Sequence, residues 1–114
     1  MEPNPIQADG LVAFVKRACP TCAMLAPQLR EAAQSKSFQV VTQDDPQFPP
    51  DVASVIDDRA LDLSYLNNIE ATPTLIRYAN GCEVERVMGW DRAAWQRLTG
   101  IAGLGEGLPA TQPG

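Results

Sequence analysis

Leu11-Val12-Ala13-Phe14-Val15 is an unbroken apolar run, and Cys19-Pro20-Thr21-Cys22 follows it after only Lys16, Arg17 and Ala18. A short apolar run without polar alternation reads as a strand buried on both faces. Such a strand needs helices above and below it and a neighbour reached by a crossover, which directs the chain towards a layered α/β domain. The residues after the run supply that crossover. Pro20 suits a first helical turn, where its missing N–H is not needed. Cys22, Leu25, Ala26, Leu29 and Ala33 then recur at helical spacing as far as about Lys36, with Gln28, Arg30, Glu31 and Gln34 on the other side. Pro27 inside this stretch predicts a kink.

Phe38 to Thr42 reads as a second strand, parallel to the first, and residues 43–51 as a loop with three prolines. Two short helical pieces are expected between Val52 and Asn68. Val52, Val55 and Ile56 carry one, and Leu61, Leu63, Tyr65 and Leu66 the other, with Asp57-Asp58 breaking the pattern or capping the second piece. Leu75 to Ala79 and Glu83 to Met88 flank Asn80-Gly81, a strong hairpin signal because both turn positions need positive φ. Asp91 caps a last helix carrying Ala94, Trp95, Leu98 and Ala102, and Asp51 also reads as a cap. The order predicts an α/β fold with a mixed four-stranded sheet and helices on both faces. Residues 1–10 form an irregular N-terminal lead-in, 11–102 the domain, and 103–114, half of them Gly or Pro, a flexible tail or linker.

Composition narrows the function. The chain has 114 residues, enough for one domain, and is 45% hydrophobic. A net charge of -5 argues against nucleic acid or an anionic membrane as the main partner. No apolar stretch approaches the length of a membrane-spanning helix, and no basic leader precedes Leu11, so a cytoplasmic protein is expected. With no histidine, neither a Cys-His pair nor an imidazole metal site can form. Zinc normally takes four ligands, and the one sulfur beyond the pair is Cys82, so no metal is expected. Asp44-Asp45 and Asp57-Asp58 read as solvated loop charge, Cys82 as a lone strand cysteine, and Trp95 as core, with Trp90 at the start of the last helix.

Two cysteines separated by two residues at the mouth of a helix form a redox motif, although the same pair could be inert core thiols. Unpaired N–H groups at the helix start favour a thiolate on Cys19, and Lys16 and Arg17 add positive potential. Cys22, one turn further in, can resolve a mixed disulfide on Cys19. Cys19 is therefore expected to be the exposed nucleophile and Cys22 the sheltered resolving thiol. The chemistry needs no cofactor beyond the dithiol, which cycles to a Cys19–Cys22 disulfide.

From Leu11 to about Leu98 the chain resembles thioredoxin. Leu11-Val12-Ala13-Phe14 followed by Cys19-Pro20-Thr21-Cys22 keeps that family's strand-to-motif register, and Ala23-Met24-Leu25-Ala26-Pro27 its kinked helix. Ala71-Thr72-Pro73-Thr74-Leu75 is similar to its cis-proline loop, Asn80-Gly81 to its hairpin turn, and Gly89 to its glycine after the last strand. The resemblance implies a cis Pro73 beside the dithiol and a Thr72 backbone that pairs with substrate. It also implies a minimal version of the fold, lacking thioredoxin's first strand and helix. Ala13 stands where thioredoxin has a buried aspartate and Ala18 where it has a tryptophan. The inner pair Pro20-Thr21 is similar to that of some reductases of cytochrome c maturation, and a leading proline also occurs in glutaredoxins. The implied function is reduction of protein disulfides, with an upstream reductase or glutathione returning the electrons. A glutaredoxin-like protein, or a non-catalytic interaction module of a larger redox protein, are the alternatives.

Overall fold

The first apolar run becomes the middle of a sheet. The computed structural model describes Ile6 and residues 9–114, and β1 (Gly10–Val15) lies at the centre of a five-stranded sheet. The lead-in expected over residues 1–10, and with it the absence of a preceding strand and helix, falls mostly on residues 1–5, 7 and 8, outside the described residues. On one side β1 pairs in parallel with β2 (Phe38–Thr42), Ala13 opposite Val40. On the other it pairs antiparallel with β4 (Thr74–Ala79), Ala13 opposite Leu75. Asn80 and Gly81, at φ 53° and 78°, turn the chain into β5 (Cys82–Met88).

The fifth strand is a departure from the expected four. β3 (Val55–Asp57) pairs in parallel with β2 at the sheet edge, in place of the expected helical piece. Val55 and Ile56 are β-branched and fit a pleated surface, and three residues are too few for a helical turn to be stable alone. The long helix expected from Pro20 is two helices, α1 (Pro20–Met24) and α2 (Ala26–Ala32). Pro27 falls in the first turn of α2, where its missing N–H costs nothing. Asp58 caps the next helix, α3 (Asp62–Leu66), its buried carboxylate accepting from Leu63 N and Ser64 N at 2.9 Å each. Asp51 caps no helix; its φ is 64°, and its carboxylate pairs with Arg30 at 3.5 Å.

Alternation along the strands divides the core. Ala13, Val15, Val40 and Leu75 pack against Leu25, Leu29, Trp95 and Leu98 on one face. Val12, Phe14, Val41 and Ile76 pack with Leu63 and Tyr78 on the other. α4 (Arg92–Thr99) follows the two-residue strand β6 (Trp90–Asp91). Asp91 caps it through Ala94 N at 3.2 Å, and Gly100, at φ 72°, ends it before Ala102.

Residues 103–114 are not the flexible tail that their glycines and prolines predict. Leu104 is fully buried in the main core, and Leu104 N and Leu108 N close turns onto Ile101 O and Gly105 O. Trp90 is buried against Gly105 and donates from Nε1 to Pro109 O at 2.7 Å. The segment ends in β7 (Thr111–Gln112), antiparallel to β6. One buried leucine and one indole anchor a stretch whose composition alone gives no periodic signal. Leu104→Ala is expected to destabilise the protein by about 2–5 kcal/mol in urea unfolding, as a buried core leucine does. A change below about 0.5 kcal/mol would mean the segment is not packed.

Candidate active site

Crossover geometry brings the sequence motifs to one end of the sheet. β1 ends at Val15, and Cys19 is the N-cap residue of α1, in extended backbone at φ -83° and ψ 118°. Its sulfur occupies the place of a capping oxygen, accepting from Cys22 N at 3.1 Å. From the far side of the sheet, the loop before β4 brings the Thr72 carbonyl to 3.3 Å, where it accepts from the Cys19 thiol. The Thr72–Pro73 peptide bond is cis, and Thr72, Pro73 and Thr74 are buried. Both thiols are free.

The exposed loop between β1 and α1 is held by a residue that pattern alone reads as solvated charge. The Asp44 carboxylate accepts from Arg17 N at 2.7 Å and Ala18 N at 3.0 Å. Desolvation pushes its carboxyl up, but the hydrogen bonds from Ala18 and Arg17 outweigh this and hold it below the ordinary carboxylate value. Asp45 pairs with the Arg17 side chain at 3.2 Å. No spacing rule marks Asp44, because its donors are backbone groups 26 and 27 residues away.

Cys19 is not the exposed thiol that its position predicts. It is only 3% accessible, and Cys22 is fully buried. The Thr21 hydroxyl, itself buried, donates to Pro113 O at 2.7 Å and accepts from Gln112 Nε2 at 3.2 Å. Gly114 lies so close to the Thr72 carbonyl that a Cβ there would collide with it, and Gly89 backs Gln112 and Pro113. Cys82 is exposed on β5, apart from this cluster. Among the described residues no group of three or more His, Cys, Asp or Glu side chains could hold a metal, and no helix is long and apolar enough to cross a membrane.

No protein-family model matches the chain, and no curated protein matches it. Solved structures do. Oxidised thioredoxin from Plasmodium falciparum is 21% identical, with 84% of this chain and 82% of that one covered at a TM-score of 0.56. StoA from Bacillus subtilis is 20% identical, covering 86% and 85% at 0.61. The dsbF protein of MTB is 17% identical, covering 80% and 78% at 0.63. This is a thioredoxin-like fold.

Within the thioredoxin-like fold the Cys22 sulfur resists ionisation. Burial, then the contact with Cys19, pushes the Cys22 thiol up from an ordinary 9.0 to about 12. Ala13 is fully buried in the same core and offers no carboxylate to share the proton. A raised folded-state value has a defined sign: the stabilising contribution of the Cys22 thiol is complete below about pH 9 and is lost as pH rises towards 12. Urea unfolding of the reduced protein between pH 7 and pH 10.5 should therefore show a decline in stability that Cys22→Ala lessens. An equal decline in both proteins would mean that Cys22 titrates normally.

Proposed function

We propose that the protein is a thiol–disulfide oxidoreductase that reduces disulfides in protein substrates, with Cys19 as nucleophile and Cys22 as resolving thiol. The observation that carries this reading is the position of the Cys19 sulfur, 3.1 Å from Cys22 N and 3.3 Å from the carbonyl next to the cis proline. The Cys22 N–H supports negative charge on that sulfur, and Pro20 starts the helix that aims it. Thr72 and Pro73 form the wall against which a substrate backbone lies. Two of the similar structures are named by redox state, the P. falciparum thioredoxin as oxidised and dsbF in mixed oxidized and reduced forms.

The exchange balances without a cofactor. The Cys19 thiolate attacks one sulfur of a substrate disulfide, and the bond electrons leave on the other, which takes up a proton. Cys22 then gives up its proton and attacks Cys19 Sγ, releasing the second substrate thiol. Two electrons have passed to the substrate, and Cys19 and Cys22 are joined. An upstream dithiol reductase or glutathione returns the pair to its reduced form. Direction towards reduction belongs with a reducing, cytoplasmic setting. Burial, the largest cause of the raised Cys22 value, persists in the mixed disulfide, so the second step should quicken with pH.

A cavity of about 340 Å³ favours glutathione as the second reading. It lies between α3 and the loop before β4, bounded by Lys16, Gln43, Ser64, Glu70 and Thr72, and Lys16 offers a cation to a carboxylated thiol. Insulin reduction driven by dithiothreitol tests the first reading, and a glutathione-coupled assay the second. Turnover in neither would favour an interaction module. In the same assays Cys19→Ser should lose activity by on the order of a hundredfold or more. Cys22→Ser should accumulate a mixed disulfide visible by mass spectrometry, and equal trapping by both variants would reverse the assignment.

A further inference from the structure

Cys19 as a residue is only 3% exposed, which leaves a protein disulfide little access to it in this arrangement. The chain's own C-terminal segment lies beside it, on Thr21 and on the Thr72 carbonyl that accepts from the Cys19 thiol. Leu104 and the Trp90–Pro109 contact fix its near end. Backbone pairing carries it onward, Arg92 N donating to Ala110 O at 2.9 Å and Trp90 standing opposite Gln112. Its last residues then cross from the sheet edge to the dithiol. Thr21 holds Gln112 and Pro113, and Gly114 rests on the Thr72 carbonyl.

This path has the form of a bound peptide. It pairs as a strand at Thr111–Gln112, it bridges the helix that carries the cysteines and the loop before β4, and its own backbone carbonyls accept most of its hydrogen bonds. Gly89 lies beneath it at φ 78°, and a Cβ there would stand 3.1 Å from Gln112 O, so a bare backbone is required for the close approach. Gln112, Pro113 and Gly114 carry no sulfur, so the segment can fill the groove but cannot be turned over. The two ends differ in how they are held. Residues 104–109 are anchored by buried apolar groups, whereas the Gln112 side chain and Pro113 are held by hydrogen bonds with Thr21, and Gly114 lies against the Thr72 carbonyl. Such an end opens far more easily than the fold.

We infer that residues 112–114 are a built-in occupant of the peptide groove over Cys19, and that the partner which engages the dithiol is an extended polypeptide segment that displaces them. The inference rests on the oxidoreductase reading for the identity of the partner, but the covering itself is independent of it. Displacement needs no covalent bond to break in the protein. It exchanges the hydrogen bonds of Thr21 for those of the incoming backbone and opens Cys19 to attack.

Iodoacetamide labelling of the reduced protein in a Cys82→Ser background tests this, with mass spectrometry to assign the label. Deleting residues 112–114 should speed labelling of Cys19 by about tenfold or more, since the hydrogen bonds that close the groove are gone. With residues 112–114 retained, Thr21→Val removes the same bonds and should speed it by about threefold. That second variant keeps residues 112–114 in place and remains informative if the deletion disturbs folding. Unchanged labelling in both variants would overturn the inference. Faster labelling without insulin reduction would uphold the cover and instead remove the oxidoreductase reading.

Discussion

One hydrogen bond joins residues 53 positions apart and gives the site its geometry: the Cys19 thiol to the Thr72 carbonyl. It exists because β1 and β4 run antiparallel in a fixed register, Phe14 opposite Thr74. A slip of one residue would send every inward side chain of β4 to the opposite face. The two core layers forbid that slip, since Leu75 belongs to one and Ile76 to the other. Apolar packing far from the sulfur thus sets a polar contact at the sulfur. The parallel β1–β2 pair does the same for the other wall, bringing Asp44 beneath the loop that leads into Cys19.

The features legible in the sequence are those with local causes. A β-run, a proline at a helix start, a two-residue turn and a Cys-x-x-Cys spacing each act within a few residues, and each sits where its pattern puts it. β3 escapes such a reading because Val52, Val55 and Ile56 satisfy a helical spacing as well as a strand's preference for branched side chains; only the parallel neighbour β2 decides between them. The C-terminal segment escapes it for a different reason. Glycine and proline mark irregular backbone, and irregular backbone is not the same as mobile backbone. Gly105 sits at φ 74° under the Trp90 ring, where a Cβ would collide with it, so the glycine that signals looseness is what permits tight packing. Asp44 and Gln112 have no pattern to reveal them, since their partners lie more than 25 residues away.

Replacement of a carboxylate by Ala13 and burial of both sulfurs act together. Cys22 is fully buried in the apolar core, while the Cys22 N–H and the Thr72 carbonyl converge on the Cys19 sulfur. Burial opposes a charge on Cys22.

Trp90 and Trp95 are the two tryptophans of the chain, with ring centroids 5.4 Å apart and both rings buried. Trp95 donates to Gly89 O, and Trp90 lies under Gly105 and holds Pro109. All of the indole emission of this protein thus originates from one small patch that adjoins its C-terminal segment. Loosening of residues 105–109 admits water to an indole while the sheet stays intact, so the emission gauges how firmly that anchored stretch is packed, readable without any label.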